Sequence, residues 1–458
     1  MNTSNTTFDL ILKNANFITY SEKDNKMIEQ IADIGVTNGK IVAIENSLNQ
    51  PALKVLNVKH LAVLPGIIDS QVHFREPGMT HKEDIESGSR AALLGGVTTF
   101  FEMPNTNPPT TTKELFQQKL NLSQNRSHSH YAYFIGGSSD NISELPQLEK
   151  LPHCSGIKIF LGSSFGNLLI DQDDVFEKIM QSGTRRVVIH SEDESRLKQR
   201  KHIAIESGHP KAHPIWRDEE SALITTKKSV HFAQKYKRPI HILHISSSEE
   251  MAYLSEQKKN SQNPQQLISV EILPQYLTLS SPECYERLGT LAQQNPPIRD
   301  KKHLEHLWKA VLNGTVDVIG SDHAPHTLED KQKPYPQSPS GVPGVQTLVP
   351  LMLDQVTQKK LPLSKFVELV TENPRKIFNL KNKGRIQIGF DADFTIVDLQ
   401  KTQSVQKSWL ASKTGWSPFE GMNFTGWPVF TILNGEVCVE ENTIVNPHQG
   451  QACEFSIS

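Results

Sequence analysis

The chain has 458 residues, with 48 Lys and Arg against 50 Asp and Glu, and a formal net charge of −2. That balance argues against nucleic acid as the main partner, and runs such as Lys227-Lys228 read as solvated surface. The start, MNTSNTTFDL, has no basic segment leading into an apolar core. No apolar run reaches membrane length, so a soluble cytoplasmic protein is expected. Cys154, Cys284, Cys438 and Cys453 form no C-x-x-C pair and read as reduced thiols.

In chain order, residues 8–60 alternate apolar and polar, with a turn signal at Asn38-Gly39. Eight short runs rich in Val, Ile and Phe follow: 61–69, 97–103, 131–137, 156–161, 185–190, 240–246, 268–273 and 316–322. Such runs suit strands buried on both faces. Between them lie stretches with helical spacing and acidic starts, including DQDDVFEKIMQSG (171–183) and DEESALITTKKSVHFAQKY (218–236). The alternation predicts an α/β chain folded as a (β/α)8 TIM-like barrel, with a doubly wound sheet as the structural alternative. Residues 384–440 return to the alternating pattern of the start. The expected domains are a barrel at 61–380 and a small β-domain built from both termini, 1–60 and 381–458. Pro-rich loops at 104–109, 295–297 and 334–343 read as lids or binding edges.

Chemistry-bearing residues recur where these strands end, and in a barrel that is the catalytic mouth. The first strand ends at His73, the second at Met103-Pro104-Asn105 and the fifth at His190. Lys158 lies in the fourth strand, His244 in the sixth, and Asp322 ends the eighth. Taken singly, each has an ordinary reading. A strand-end histidine is usually a hydrogen-bonded structural residue, a lysine usually snorkels, and an aspartate usually caps a helix. Their recurrence at equivalent ends of separate strands favours a metal site. Imidazoles and a carboxylate suit Zn²⁺, one ion or two, with Mn²⁺, Co²⁺ or Ni²⁺ as alternatives. His128, His130, His202, His209 and His213 lie in polar stretches and take the structural reading.

The stretches HFREPG (73–78), MPNTNPP (103–109), IKIFLGSSFG (157–166), VVIHSEDE (187–194), LHISSSEE (243–250), NPPIR (295–299) and SDHAPHT (321–327) resemble, in this order and spacing, the amidohydrolase superfamily and more closely the dihydroorotases. The resemblance covers nearly the whole chain. It implies reversible hydrolysis of L-dihydroorotate to N-carbamoyl-L-aspartate in de novo pyrimidine (UMP) biosynthesis, by attack of a metal-activated water on the ring amide carbon. It makes Asp322 both metal ligand and catalytic proton shuttle, and Lys158 a carboxylated lysine bridging two metal positions. His190 and His244 match the ligands of one position, and His73 a ligand of the other. Many relatives have a second histidine where this chain has Gln71, and a neutral amide oxygen is a poorer zinc ligand than imidazole.

The substrate carboxylate would be held by Arg75, Asn105 and His326. The pyrimidine ring would be bound by Asn295 and by backbone at Ser340 and Gly341, and a loop carrying Ser164 and Phe165 would close over it. Allantoinase-type and hydantoinase-type enzymes share the metal framework but have less reason for an arginine at 75. A third reading, raised by Gln71, is an inactive structural partner of aspartate carbamoyltransferase. The retained polar set argues against it, because buried polar groups are costly to keep without use. Assembly with itself or with a carbamoyltransferase is compatible with the resemblance.

Overall fold

A computed structural model describes residues 7–162, 168–260 and 267–457. Ser164 and Phe165 lie outside the described residues.

The chain begins with β1 (Phe8–Ser21), β2 (Lys26–Thr37), β3 (Lys40–Glu45), β4 (Ala52–Asn57) and β5 (Ala62–Pro65). It ends with β14 (Phe394–Ser404), β15 (Asn423–Leu433), β16 (Glu436–Glu440) and β17 (Thr443–Ile444). All nine form one sheet in the order β17-β16-β15-β14-β5-β1-β2-β3, with β4 also on β1. Two hairpins in it are written in the sequence as Asn-Gly. Asn38 and Gly39 have φ 51° and 72°, and Asn434 and Gly435 have 48° and 80°. Positive φ at both central residues is what a two-residue turn between twisted strands requires.

The expected first strand, 61–69, divides between two sheets. Ala62–Pro65 pairs with β1 and β14, and Gly66 carries the chain into the barrel. A side chain at 66 would meet Thr98 Oγ1 at 2.5 Å, so the two sheets approach each other closely there. The barrel strands are β6 (Ile67–Val72), β7 (Val97–Glu102), β8 (His130–Gly136), β9 (Cys154–Phe160), β10 (Val187–His190), β11 (Ile240–Ile242), β12 (Ile268–Ile272) and β13 (Val318–Ile319). They lie side by side in chain order, each pair parallel. Val72 bridges His323 in parallel, and the His73 amide donates to the His323 carbonyl at 2.7 Å, joining first strand to last. Every residue of the eight strands is buried. That is why they read as continuous apolar runs rather than alternating ones.

Helix starts set where each strand stops. Asp193 caps the helix Glu194–Ser207 by accepting from the Arg196 amide, and Ser247 caps Ser248–Lys259 by accepting from the Glu250 amide. Each cap follows a strand-end histidine by three residues, so His190 and His244 are fixed at the mouth by short, hydrogen-bonded loops. Among the described residues no helix is long and apolar enough to cross a membrane. The four cysteines are buried and unpaired.

Candidate active site

Two polar pairs meet at the mouth. In the first, His190 Nδ1 and His244 Nε2 lie 3.0 Å apart. The other nitrogen of His190 sits 2.9 Å from Glu192 Oε2. Burial pushes the Glu192 carboxyl up, but the Arg217 guanidinium and His190 override it and hold it at about 2. Arg217 donates from Nε to Glu192 Oε1 at 3.1 Å and from Nη2 to Oε2. An ionised Glu192 accepts the Nε2 proton of His190, which leaves Nδ1 a lone pair aimed at His244. A proton or a cation must lie between the two rings. Support of a ligating histidine by a carboxylate on its far nitrogen is the usual arrangement at metal centres. His244 Nδ1 is buried without a partner among the described residues. Burial lowers the pKa of both histidines, keeping them in the neutral form that binds metal.

The second pair is His73 with Asp322. His73 Nδ1 lies 2.7 Å from Asn105 Oδ1, and Nε2 lies 3.1 Å from Asp322 Oδ1. With Asn105 Oδ1 taking the Nδ1 proton, Nε2 points a lone pair at the carboxylate, again with room for one cation. Gln71 Nε2 donates to Asp322 Oδ1 at 2.9 Å, while Gln71 Oε1 is buried with no partner among the described residues. Asp322 begins no helix, so the capping reading does not apply; Thr327 caps the next one. Asp322, His244 and Arg75 have φ of 46°, 39° and 65°. Left-handed backbone at residues that are not glycine is uncommon, and such strain clusters at working sites.

Lys158 is 1% exposed, so it does not snorkel. Its Nζ lies 4.4 Å from the centre of the Phe160 ring. Among the described residues it forms no ion pair within 4.0 Å, and burial lowers its pKa to about 7. Its charge adds to burial in depressing His73, His190 and His244, so it stands within electrostatic reach of both pairs. Glu271, within electrostatic reach of Lys158, accepts from Ser70 Oγ at 3.1 Å. Burial, followed by the Asp322 charge, lifts the Glu271 carboxyl to about 8. Among the described residues, no three His, Cys, Asp or Glu side chains converge on one point. The arrangement fits a metal centre through its two polar pairs and the lysine within electrostatic reach of both, and through the orphaned amide oxygen of Gln71.

Arg75 is buried, which lowers its pKa to about 10, and among the described residues it has no carboxylate partner. A surface ion pair is therefore not its role. Nε donates to the Pro325 carbonyl at 3.3 Å, and Nη2 lies 3.3 Å from His326 Nε2. His326 Nε2 also faces the Ser340 carbonyl at 3.0 Å, and its Nδ1 faces Lys82 Nζ at 3.1 Å. A carbonyl can only accept and an ammonium can only donate, so the Nε2–H tautomer is fixed. Its Nε2 cannot then accept from Arg75, and the end of the guanidinium is left without an acceptor among the described residues. Asn105, with its oxygen on His73, has no acceptor for its NH₂ among the described residues.

The remaining expected residues lie on neighbouring loops. Asn295 Oδ1 is 2.9 Å from His213 Nε2. The Gly341 amide is taken by the Gln293 carbonyl at 2.9 Å. A side chain at Gly341, where φ is 136°, would meet the Ala324 carbonyl at 2.4 Å. Lys331 Nζ fastens this loop by donating to the carbonyls of Gln293, Pro339 and Gly341 at 3.0, 2.9 and 3.0 Å. Glu192, Arg217, Lys82, Glu271 and Lys331 are absent from the sequence-based set, and His213 appears there only as a structural histidine. Glu192 alone had a local signal, a carboxylate two residues past a strand-end histidine.

The chain is similar to known proteins over nearly its whole length. The amidohydrolase family profile matches residues 62–134 and 170–438. A dihydroorotase of Methanosarcina mazei is 35% identical over 434 residues, covering 93% of this chain and 94% of that one. A dihydroorotase of Pyrococcus abyssi is 34% identical over 420 residues, covering 91% and 93%. Among solved structures, L-hydantoinase (dihydropyrimidinase) from Arthrobacter aurescens superposes with a TM-score of 0.91 at 28% identity, covering 98% of this chain and 100% of that one. Proteins of this kind are generally metal-dependent. With an eight-stranded barrel, chemistry at the strand ends and relatives of this similarity over nearly its whole length, the chain belongs to the amidohydrolase family and, within it, groups with the dihydroorotases.

Proposed function

We propose that the chain hydrolyses the ring amide of L-dihydroorotate reversibly to N-carbamoyl-L-aspartate, as a cytoplasmic enzyme of pyrimidine synthesis. The observation that carries this reading is Arg75, a buried guanidinium with no carboxylate partner among the described residues, beside His326. A buried cation of that kind is completed by an anionic substrate, and dihydroorotate has a carboxylate that hydantoin and allantoin rings lack. The hydantoinase alternative leaves Arg75 without a counter-charge.

In this reading Arg75 and the Asn105 amide hold the carboxylate beside His326, and Asn295 holds the ring. His190, His244 and a carboxylated Lys158 would hold one divalent ion, zinc by ligand type; His73, Asp322, Gln71 and the same lysine would hold a second. A bound ion supplies a Lewis acid that polarises the amide carbonyl and lowers the pKa of water. Asp322 takes the proton from the attacking water and delivers it to the ring nitrogen as the carbon–nitrogen bond breaks. In the synthetic direction it returns that proton from the nitrogen.

Arg75→Ala is expected to lower kcat/KM at least about tenfold, since charge-assisted contacts contribute about 1.5–3 kcal/mol. Arg75→Lys should restore it only in part, because a point charge lacks the fork of donors. Steady-state kinetics with dihydroorotate check both, and wild-type kinetics in Arg75→Ala would overturn the assignment.

Gln71 bears on the metal count. Its amide already donates to Asp322, and only its carbonyl oxygen is left to bind an ion. The wild-type chain is therefore expected to hold one ion tightly, at His190 and His244, and Gln71→His to hold two. Metal analysis of both proteins after identical loading is the check; two tight ions in the wild type would contradict it. Assembly with itself or with a carbamoyltransferase belongs to the same reading and is measured by molar mass in solution.

A further inference from the structure

His213 lies outside the metal centre, on the segment between the helices Glu194–Ser207 and Glu219–Tyr236. It is fully buried, its ring meets those of Trp216 and Tyr335 edge-on, and both of its nitrogens have polar partners. Nε2 lies 3.1 Å from the Gln294 carbonyl and 2.9 Å from Asn295 Oδ1, with Ser340 Oγ at 3.5 Å. Nδ1 lies 3.2 Å from the hydroxyl of Tyr335, itself buried. The Gln294 carbonyl can only accept, so Nε2 must carry the proton, and Nδ1 is the acceptor for the Tyr335 hydroxyl. The Asn295 amide then has one orientation open to it. Its oxygen faces Nε2–H, because a flipped amide would set two donors against each other. Among the described residues the Asn295 NH₂ has no acceptor.

We infer that His213 is a positioning residue for specificity: with Tyr335 it locks the Asn295 amide so that a hydrogen-bond donor faces the substrate ring. The site then selects a ring oxo group at that place and disfavours a ring that offers an N–H there. Ser340 ties this device to the carboxylate grip, since its carbonyl faces His326 while its hydroxyl faces His213. Ring selection and carboxylate binding therefore share one loop. A missing partner for a site's buried donor is a strong basis for discrimination. The inference rests on the dihydroorotate reading for the identity of the ring, but the orientation of Asn295 does not depend on it.

The test has two arms. In the first, imidazole ¹⁵N NMR of the unliganded wild-type chain reads the His213 tautomer, with its resonances assigned by their loss in His213→Gln. The Nε2–H form is expected; the Nδ1–H form overturns the inference whether or not the chain hydrolyses dihydroorotate. In the second, His213→Phe should raise KM for dihydroorotate about tenfold with kcat changed less than about threefold, as loss of one oriented donor predicts. His213→Gln, which can place an amide N–H near the position of Nε2–H, should recover most of the loss. A wild-type KM in His213→Phe, or equal losses in both variants, overturns the inference. Absence of turnover in the wild type counts against the functional reading alone, and the tautomer still decides this one.

Discussion

Replacing Asp322 with asparagine is expected to lower kcat by about 10²–10⁴-fold in both directions, the range of a positioned proton carrier. The substitution is chosen to leave the structure in place. Asparagine tolerates the left-handed backbone at 322 as aspartate does, and its oxygen can still accept from Gln71. It cannot take a proton from the attacking water. Because Asp322 is hydrogen-bonded to Gln71 and His73 and not to His190 or His244, the tightly held ion should remain, so metal analysis of the same sample separates the two roles of the carboxylate. Rates in each direction, with a thermal melt to confirm folding, make the measurement. A fall of less than about tenfold with metal retained would remove Asp322 from proton transfer.

The barrel was legible because burial on both faces writes Val, Ile and Phe without interruption. β7 reads VTTFFE and β12 reads ISVEI, and every residue of each is inside. The mouth was legible for a related reason. His73, His190 and Asp322 are polar residues at the ends of such runs, and it is their recurrence at equivalent ends of separate strands that marks the mouth. What escaped were contacts set by the closure of the barrel. His213 and Asn295 are 82 residues apart, with nothing local to join them; Arg75 and His326, 251 apart, were brought together only by the family resemblance. Glu271 hides inside an apolar strand as a single acidic letter. The run at 61–69 looked like one strand because both sheets it serves bury it, and only Gly66 marks the change.

Lys158→Ala carries the widest consequences. In the proposed metal site a buried ammonium at 158 would repel both ions, whereas a carbamate on the same nitrogen is an anion that can bridge them. Formation of a carbamate needs a neutral amine to attack carbon dioxide, and burial, which lowers the Lys158 pKa to about 7, supplies one near neutral pH. No carboxylate among the described residues lies within ion-pair distance of Lys158 to hold the charged form, and the nearby Phe160 ring is not a counter-ion. The variant is expected to lose its metal and to lose more activity than the roughly 10–100-fold typical of a group that only supports a ligand. The barrel should persist, since the ladder contacts of Lys158 with the neighbouring strands are made by its backbone, which alanine keeps, and its side chain forms no ion pair among the described residues. Short carboxylic acids added to the variant should restore part of both metal binding and activity by filling the place of the missing anion. Intact-mass measurement of the native wild-type chain should show the added carbon dioxide. A Lys158→Ala protein with wild-type metal content would show that the lysine is no ligand. Metal loss that no carboxylic acid repairs, in a chain whose wild type shows no added mass, would show that it acts as an amine.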